Sequence, residues 1–506
     1  MTRGEADWLL QPSTVWDLVE KRAAATPDDD ALYDEHGVVL SWADLLRRSE
    51  QTAEALMVLG VTPQSRVAWQ LPTRMSTVLV MLGLSRLGAF QAPLLPLYRE
   101  RELSSLLPAG DFDLLLVPDQ LRGFDYAELA ARVLAETGID LPVVCVGHEG
   151  PTPGTTPLPA APTDADAVRW AFATSGSTGS PKAAMHSDHG LLVAARGFSL
   201  HGKMGRVPGD VGVMPFPIAH VGGIQLLSAV LLAGFPCLLL EVFTPDAVVE
   251  AFRSRPITFL GGSPVFYQAL LDLQRESDVV LFPHLRLLKG GGAPLPEATY
   301  WDLRKGLGVQ VAHDYGMTEV PMVAVGDPDD DDSVLALTDG TLIPGVEARV
   351  VDGELQVRGA PVTVGYTDSS RDAEVLTADG WFRTGDLGSV DADGHVTVTG
   401  RLKDVIIRKG ENISPLEIEE LLAGLPVVAE VSVIGLPDRE RGELVCAVVR
   451  LIDPAQELGL HDVAVHLRAC GLMVQKVPER LELVTELPKT GLGKVDKRAL
   501  RTRFSA

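Results

Sequence analysis

The sequence predicts an α/β protein with a large N-terminal region of helix-flanked sheets, a smaller antiparallel β unit and a final small α/β region. Three observations support this prediction. Short apolar runs recur between helix-length segments as far as about Gly345, which is typical of buried parallel strands. After Gly345 the runs alternate in polarity between Gly and Asp turns, which indicates antiparallel strands. Near Gly400 a last mixture of strand and helix patterns begins.

The N-terminal region contains the clearest single elements. Ser41 with Asp44 three residues later resembles a capping box at a helix start, and Gly60 ends the helical spacing. The predicted buried strands are residues 113–117, 142–146, 257–260, 285–288 and 309–312. Ligands in open α/β sheets bind at the carboxyl ends of strands. Those ends carry residues 261–264, 290–294 and 315–319.

Three other segments have recognisable local patterns. The proline-rich residues 148–166 are predicted to be an exposed connector. The acidic run at residues 327–332 is predicted to be a solvated loop, because nothing in the sequence orients its carboxylates around a metal. Residues 414–417 predict a helix start with a serine N-cap, a proline in the first turn and Glu417 as the capping acid.

The composition excludes several classes of protein. The 506 residues have a net charge of −24, which argues against a nucleic-acid-binding protein. The four cysteines form no CxxC pair, so neither a disulfide framework nor a structural zinc site is predicted. The apolar stretch at residues 226–240 is interrupted and too short to span a membrane, and the N-terminus lacks a signal-peptide pattern. A soluble cytoplasmic protein is therefore expected.

Residues 174–182 form the strongest local signal for chemistry. Their glycines and hydroxyl side chains can surround phosphate oxygens with N–H and O–H donors, and Lys182 adds a positive charge. The glycine spacing and the Pro-Lys ending differ from those of a Walker loop. The alternative is a linker rich in Ser and Gly, but the strand-like residues 169–173 before the motif do not suit a linker.

Three further motifs carry groups that suit a nucleotide. Residues 315–319 offer a tyrosine for a purine face, a threonine for phosphate and a glutamate for Mg²⁺, or else a packed tyrosine and a solvated glutamate. Asp386 follows a tight glycine and could accept both ribose hydroxyls, or it could be a turn aspartate. Arg401 and residues 488–494 add positive groups, which alone are typical of a solvated basic tail.

In this order the motifs resemble those of the adenylate-forming superfamily, which includes acyl-CoA synthetases, adenylation domains of peptide synthetases and luciferases. The resemblance covers nearly the whole chain and includes further blocks at residues 84–93, 217–223, 353–366 and 408–415. It implies an N-terminal ATP- and acyl-binding domain at residues 1–402, which contains a small β-barrel-like unit. It also implies a small mobile C-terminal domain at residues 403–506, which carries the catalytic lysine.

The resemblance implies roles for the matching residues. Tyr315 is expected beside adenine, Thr318 on phosphate and Glu319 on Mg²⁺, while Asp386 with Arg401 is expected to bind the ribose. Lys494 matches the lysine that bridges the carboxylate and the α-phosphate, and Lys403 falls at the hinge between the domains. The other residues expected to bind the nucleotide or CoA are Thr174, Ser175, Gly176, Ser177, Thr178, Gly179, Lys182, Gly292, Ala293, Pro294, Asp314, Gly316, Lys409, Gly410 and Glu411. Two residues depart from the family pattern: Ala183 replaces the usual glycine, and Asp314 stands where Gly or Asn is usual.

The implied reaction forms an acyl-AMP from a carboxylic acid and ATP and then passes the acyl group to a thiol. The resemblance implies ATP and Mg²⁺ as cofactors, and CoA is expected as well because residues 408–412 resemble the CoA-ligase version of their block. A stand-alone enzyme that loads a carrier protein is the alternative, and a homodimer is left open. A non-enzymatic ATP-binding regulator is disfavoured because Lys494, useful mainly for chemistry, is retained.

The block around His220 bears on the acid. It lacks the aspartate that amino-acid activators place there, so an α-amino acid is not expected. Ile218, Ala219 and Val221 predict an apolar cavity, and the block resembles that of medium-chain and alicyclic carboxylate–CoA ligases. A fatty, medium-chain or alicyclic acid is therefore expected, with a role in fatty-acid metabolism. His220 either touches this substrate, as a catalytic residue, or packs in the core.

Overall fold

The computed structural model describes residues 8–150, 156–174, 182–408, 411–438, 442–490 and 494–505. Within them the chain forms four β-sheets flanked by helices, and this confirms the predicted α/β class. No helix in these ranges is long and apolar enough to cross a membrane. The apolar stretch at residues 226–240 is divided between a helix and a strand.

The strands define the sheets and the position of the predicted motifs. In chain order the strands are β1 (Asp30–Asp34), β2 (Val39–Ser41), β3 (Arg66–Trp69), β4 (Phe90–Pro93), β5 (Leu114–Pro118), β6 (Val143–Val146), β7 (Val168–Thr174), β8 (Lys182–Ser187), β9 (Gly212–Met214), β10 (Cys237–Leu239), β11 (Phe259–Gly261), β12 (Leu287–Gly291), β13 (Gln310–Met317), β14 (Val320–Val325), β15 (Thr341–Leu342), β16 (Val346–Val351), β17 (Glu354–Gly359), β18 (Gly365–Tyr366), β19 (Phe382–Val390), β20 (Val396–Arg401), β21 (Ile406–Arg408), β22 (Glu411–Ile413), β23 (Val428–Asp438), β24 (Gly442–Leu451) and β25 (Arg480–Leu483).

The helices cover the faces of these sheets. In chain order the α-helices are α1 (Val15–Ala25), α2 (Trp42–Val58), α3 (Met75–Leu87), α4 (Glu100–Gly110), α5 (Tyr126–Thr137), α6 (Asp188–Gly202), α7 (Val221–Ala233), α8 (Pro245–Ser254), α9 (Pro264–Arg275), α10 (Glu297–Leu307), α11 (Asp332–Leu337), α12 (Asp372–Val375), α13 (Pro415–Ala423), α14 (Leu460–Ala469) and α15 (Lys497–Phe504).

Two large sheets share one hydrophobic core. The first has the strand order β15-β14-β13-β12-β11-β9-β10-β1-β2, and the second has the order β18-β8-β7-β4-β3-β5-β6. Strands β13, β12, β11, β9, β10 and β1 pair in parallel, as do β7, β4, β3, β5 and β6. Because α3 and α7 are buried almost all round, they lie inside this core and not on its surface.

Two smaller sheets follow. The predicted antiparallel unit is the four-stranded sheet β16-β17-β19-β20. Strands β21 to β25 form the last sheet, which packs with α13 and α14 around a separate hydrophobic cluster. The domain boundary between residues 402 and 403 falls within the 3-10 turn Leu402–Asp404 and stays a prediction.

Most of the predicted elements are present, with shifted bounds. Ser41 caps α2, because its Oγ accepts a hydrogen bond from the Asp44 backbone N–H at 3.1 Å. The predicted parallel strands correspond to β5, β6, β11, β12 and β13. Tyr315 and Gly316, expected in a loop, belong to β13, because the antiparallel partner β14 extends that strand. The described part of residues 148–166, which leaves out 151–155, contains neither helix nor strand, as predicted.

Distant residues contribute to two of the predicted segments. Residues 327–331 form a partly exposed loop between β14 and α11, in line with the prediction, and Lys203 Nζ lies 2.5 Å from carboxylate oxygens of both Asp327 and Asp329. The helix predicted at residues 414–417 does begin at Pro415, but the Ser414 hydroxyl donates to the Thr399 carbonyl and does not cap it, and neither does Glu417. Its carboxylate accepts a hydrogen bond from Lys476 Nζ at 2.5 Å instead.

Candidate active site

The nucleotide motifs meet where β12 and β13 end, beside the β7–β8 hairpin and the β19–β20 pair. Glu319, just after β13, lies 3.8 Å from Lys182 Nζ at the start of β8. Tyr315 on β13 donates its hydroxyl hydrogen bond to Asp386 on β19 at 2.8 Å. The fold thus brings together residues that lie up to about 200 positions apart in the printed sequence.

The predicted phosphate loop is anchored at both ends. Thr174, the last residue of β7, and Lys182, the first residue of β8, are paired with each other. The segment between them therefore begins and ends beside Lys182. The residues of that segment predicted to bind phosphate, Ser175, Gly176, Ser177, Thr178 and Gly179, lie outside the described residues.

Lys182 is held on two sides. Its Nζ lies 3.6 Å from the centre of the Tyr366 ring and 3.8 Å from Glu319 Oε1. Burial lowers the pKa of Lys182, the charge of Glu319 opposes this effect, and Arg371 and Lys403 lower the pKa further. The site therefore concentrates positive charge in a chain whose net charge is −24.

Thr318 and Glu319 are fixed by residues from other elements. The Thr318 carbonyl accepts a hydrogen bond from Nε2 of the buried His186 at 2.8 Å, and burial lowers the pKa of His186 to about 4. The Glu319 carbonyl accepts from the Thr363 backbone N–H at 2.7 Å, and Glu319 Oε1 accepts from the Tyr366 hydroxyl at 2.8 Å. Both residues are thus tied to the β8 and β18 side of the cleft.

The other end of the site is built around Asp386. This buried carboxylate accepts the Tyr315 hydroxyl on Oδ2 and lies 2.8 Å from Arg401 Nε through Oδ1. Each carboxylate oxygen has two lone pairs, so both can accept a further hydrogen bond. Asp386, Tyr315 and Arg401 form one connected group.

Asp314 points to the opposite side of β13 from Tyr315, because side chains alternate along a strand. Its carboxylate forms a buried ion pair with Lys289, which is 0% exposed and also donates to the Gly326 carbonyl at 2.7 Å. Burial lowers the pKa of Lys289 and raises that of Asp314, while their attraction opposes both shifts. The predicted nucleotide contact of Asp314 would therefore have to come from its backbone.

The glycine-rich ends of the strands keep this region narrow. A Cβ on Gly291 would lie 1.8 Å from the Asp314 carbonyl oxygen, and one on Gly316 would lie 2.3 Å from the Pro321 carbonyl oxygen. Both positions therefore require glycine. Gly292, Ala293 and Pro294 follow β12 and are exposed or half-buried, so their surface is open to a ligand.

Lys494 reaches this cleft from the C-terminal region. Its carbonyl accepts a hydrogen bond from the Thr490 backbone N–H at 2.7 Å, which closes the loop that carries it. The residue as a whole is exposed. Its pKa falls to about 8, first because the cleft withdraws the ammonium from water and then because Arg401 and Lys403 repel it, against the attraction of Asp386 and Glu319.

His220 stands at the start of α7, close enough to Lys494 for the lysine charge to act on it. Its Nδ1 accepts a hydrogen bond from the Gly222 backbone N–H at 3.1 Å. Burial, and then Lys494, lower the pKa of His220 to about 4, so the ring is neutral at pH 7 and carries its proton on Nε2. His220 thus caps a helix, while Nε2 has no hydrogen-bond partner among the described residues.

The predicted CoA block is only partly described. Lys409 and Gly410 lie outside the described residues, and Glu411 begins β22. Arg408 at the end of β21 forms an ion pair with Glu479.

Sequence reasoning missed three residues that shape the site. Tyr366 lies in a block that carries the family resemblance, yet the motifs predict no role for it, and it contacts both Lys182 and Glu319. His186 and Lys289 left no local signal, because each acts on a residue far away in the chain. Lys403, predicted only as a hinge, also bears on the pKa values of Lys182 and Lys494.

Comparisons with known proteins identify the family. A family model described as AMP-binding enzyme matches residues 19–367, and one described as AMP-binding enzyme C-terminal domain matches residues 417–494. The medium-chain fatty-acid–CoA ligase of Escherichia coli is 30% identical over 97% of this chain and 91% of its own length. The 2-hydroxy-7-methoxy-5-methyl-1-naphthoate–CoA ligase of Streptomyces carzinostaticus is 32% identical over 92% of this chain and 88% of its own.

A solved structure extends this similarity to the fold. The ATP-bound crystal structure of MatB from Rhodopseudomonas palustris superposes with a TM-score of 0.87 at 28% identity, covering 98% of this chain and 99% of that one. Together with the family matches, this confirms the resemblance that the motifs predicted. The roles of the individual residues stay predictions.

Proposed function

Because the chain belongs to the AMP-binding enzyme family, we propose that it is an ATP-dependent carboxylate–CoA ligase. A carboxylate oxygen attacks the α-phosphorus of ATP, the bond between that phosphorus and the pyrophosphate oxygen breaks, and acyl-AMP forms. The sulfur of CoA then attacks the acyl carbonyl carbon, its proton is lost to solvent, and AMP leaves.

The observation that carries the proposal is the position of Lys494. Although Lys494 comes from the far end of the chain, it lies close enough to His220, Asp386 and Glu319 for their charges to act on one another: its ammonium lowers the pKa of His220, and the two carboxylates oppose the lowering of its own pKa. The first half-reaction brings two anions together, so it is accelerated mainly by neutralising charge and by aligning the reactants. A lysine in this position offsets the repulsion between the carboxylate and the α-phosphate.

The residues of the cleft suit ATP with a divalent cation. Glu319 Oε2 has no partner among the described residues and is an oxygen ligand of the kind that Mg²⁺ prefers. Lys182 would hold phosphate oxygens, Tyr315 would lie beside adenine, and Asp386 with Arg401 would hold the ribose. A magnesium ion held by Glu319 would stabilise the charge that develops on the phosphates.

His220 contributes a neutral N–H donor to the acyl end of the site. Because Nδ1 is used by the Gly222 backbone N–H, only Nε2 is left to face the reacting carboxylate. An N–H group that points at the carboxylate orients it for attack and does not compete with it for the α-phosphorus.

The acid is proposed to be a fatty, medium-chain or alicyclic carboxylic acid. A Cβ on Gly222 or Gly261 would lie 3.6 and 3.7 Å from ring carbons of Phe216, so this ring lies between the start of α7 and the end of β11. Leu226 borders the same space, and the Phe266 ring centre lies 6.4 Å from that of Phe216. An unpaired ammonium buried here would cost more than the roughly 2–7 kcal/mol of an unpaired neutral polar group, which disfavours amino acids.

CoA is the proposed acceptor. The support is the block at residues 408–412 together with the relatives that are named as CoA ligases. We further propose that residues 403–506 move as a domain between the half-reactions, with Lys403 at the hinge. The Lys494 loop would then leave the cleft before the thiol enters.

A panel of carboxylic acids tests the proposal. The enzyme is incubated with ATP, Mg²⁺ and each acid, with and without CoA, and pyrophosphate, AMP and acyl-CoA are measured. We expect CoA-dependent AMP release with C6–C12 or cyclohexane-type acids. Pyrophosphate formation without any acyl-CoA would contradict the CoA proposal and would favour a carrier protein as the acceptor.

A further inference from the structure

We propose that Tyr366 is a positioning residue that holds Glu319 and Lys182 in the arrangement that receives ATP and its divalent cation. The inference rests on the proposed function, because it assumes that these two residues bind the cation and the phosphates. It adds a residue for which the motifs predicted no role.

One side chain contacts both charged groups. The hydroxyl of Tyr366 donates a hydrogen bond to Glu319 Oε1 at 2.8 Å, and the centre of its ring lies 3.6 Å from Lys182 Nζ. Tyr366 is 1% exposed, so neither contact competes with bulk water. A cation over an aromatic face is stabilised by the ring electrons, and more strongly where water is excluded.

Tyr366 is itself held rigidly. It pairs with Ala184 where β18 adds to β8, the strand that begins at Lys182. Its backbone N–H donates to Asp372 Oδ1 at 2.8 Å. The preceding Gly365 has φ 137°, and a Cβ there would lie 2.6 Å from Asp372 Oδ2, so this approach requires glycine. Because Tyr366 is itself fixed, its contacts restrict the positions of the Glu319 carboxylate and the Lys182 ammonium.

The contacts divide the oxygens of Glu319 between two tasks. Oε1 takes the Tyr366 hydroxyl and faces Lys182, whereas Oε2 has no partner among the described residues. The carboxylate is thus oriented with one oxygen available to a cation. Lys182 Nζ lies against the Tyr366 ring and 3.8 Å from Glu319 Oε1, which is too far for a short ion pair. The ammonium therefore stays available to bind an anion.

Tyr366→Phe tests the inference, because it removes the hydroxyl and keeps the ring. Equilibrium binding of Mn²⁺ to the full chain is measured by electron paramagnetic resonance in the presence of a non-hydrolysable ATP analogue. The Mg²⁺ concentration that half-saturates adenylation is measured in parallel. We expect Mn²⁺ binding to weaken about tenfold, the size of a hydrogen bond to a charged group, with the KM for the acid unchanged.

Tyr300→Phe is the matched control. Tyr300 on α10 is 0% exposed, and its hydroxyl donates a hydrogen bond to Asp332 Oδ1 at the start of α11 at 2.6 Å. The variant therefore loses a comparable hydrogen bond outside the cleft. Both variants should lose similar thermal stability, and only Tyr366→Phe should lose cation affinity. As a second variant, Tyr366→Met also removes the ring, and we expect it to weaken binding of the ATP analogue as well as Mn²⁺.

Cation binding at the wild-type level in Tyr366→Phe, or an equal loss in Tyr300→Phe, would overturn the inference. The measurement needs no carboxylic acid. A wild-type enzyme that binds the analogue with Mn²⁺ but activates no acid would therefore contradict the proposed function alone. A wild-type enzyme that binds neither would contradict both.

Discussion

Arg401 and Asp386 face each other across β20 and β19 and form an ion pair, with 2.8 Å between Arg401 Nε and Asp386 Oδ1. The Asp386 side chain is 3% exposed, whereas that of Arg401 is 47% exposed, so the buried member is the acid. Burying a charge is costly unless it is paired and hydrogen-bonded. Arg401 and the Tyr315 hydroxyl offset that cost and leave the carboxylate ready to accept further hydrogen bonds.

Asp386→Asn should weaken ATP binding while leaving the acid unaffected. The amide keeps the shape of the carboxylate but loses its charge and half of its acceptors, so we expect the KM for ATP to rise about tenfold or more. ATP–pyrophosphate exchange gives this value. The wild-type enzyme should discriminate against 2′,3′-dideoxy-ATP, and the variant should discriminate much less. Equal discrimination in both would show that Asp386 does not bind the ribose.

Two substitutions at His220 separate its two roles. The side-chain oxygen of His220→Asn can replace Nδ1 as the helix cap but supplies no donor at the position of Nε2, so stability should hold and adenylation should fall. His220→Ala should lose about 1 kcal/mol of stability as well, because the cap is gone. Thermal unfolding and pyrophosphate release distinguish the two. Full activity in His220→Asn would make His220 a helix cap only.

Phe216→Ala should enlarge the acyl site. Its ring separates the start of α7 from the end of β11, so truncation opens space next to Gly222 and Gly261. We expect the preferred acid to become longer or bulkier, with little change in the KM for ATP. Phe252→Ala is the control, because Phe252 packs against Phe282 with 4.8 Å between ring centres. An unchanged acid profile in Phe216→Ala would place the acyl pocket elsewhere.

The pKa of Lys494 predicts a basic limb in the pH profile of adenylation. Only the protonated ammonium offsets the repulsion between the two anions, so kcat/KM should be maximal below about 8 and should fall as pH rises through that value. Lys494→Arg should move the limb above about pH 10, because a guanidinium does not deprotonate in this range. If kcat/KM of Lys494→Arg still falls as pH rises through about 8, the decrease comes from a group other than Lys494.

Sequence patterns predicted correctly those elements that are stabilised by contacts between residues close together in the sequence. Ser41 and Asp44 lie within one helical turn, so the serine N-cap could be recognised from their spacing, although the Asp44 carboxylate contacts Ser41 Oγ and Arg47 and does not complete the capping box. At the start of α13 the same rule predicted the helix but not the partner of Glu417. Lys476, which takes that carboxylate, lies 59 residues away and left no sign in the local pattern.

The same distinction applies to the site. The motifs identified residues that carry chemistry, because phosphate, ribose and metal chemistry restrict the residue types that can be used. They did not reveal the buried pair of Lys289 and Asp314, since the two residues come from different strands and meet only in the folded sheet. For Asp314 this pairing decides which way the side chain points, and no sequence rule contains that information.

The most direct test of the account is to measure each half-reaction separately in Lys494→Ala. Lys489→Ala is the matched control, because Lys489 lies on the same segment and pairs with Glu430 outside the cleft. We expect Lys494→Ala to slow acyl-AMP formation by about 10²–10³, by analogy with the loss of a donor to a developing charge. Thioester formation from synthetic acyl-AMP and CoA should continue at nearly the wild-type rate. Equal slowing of both half-reactions, or an equal effect of Lys489→Ala, would contradict the assignment of Lys494 to the adenylation step.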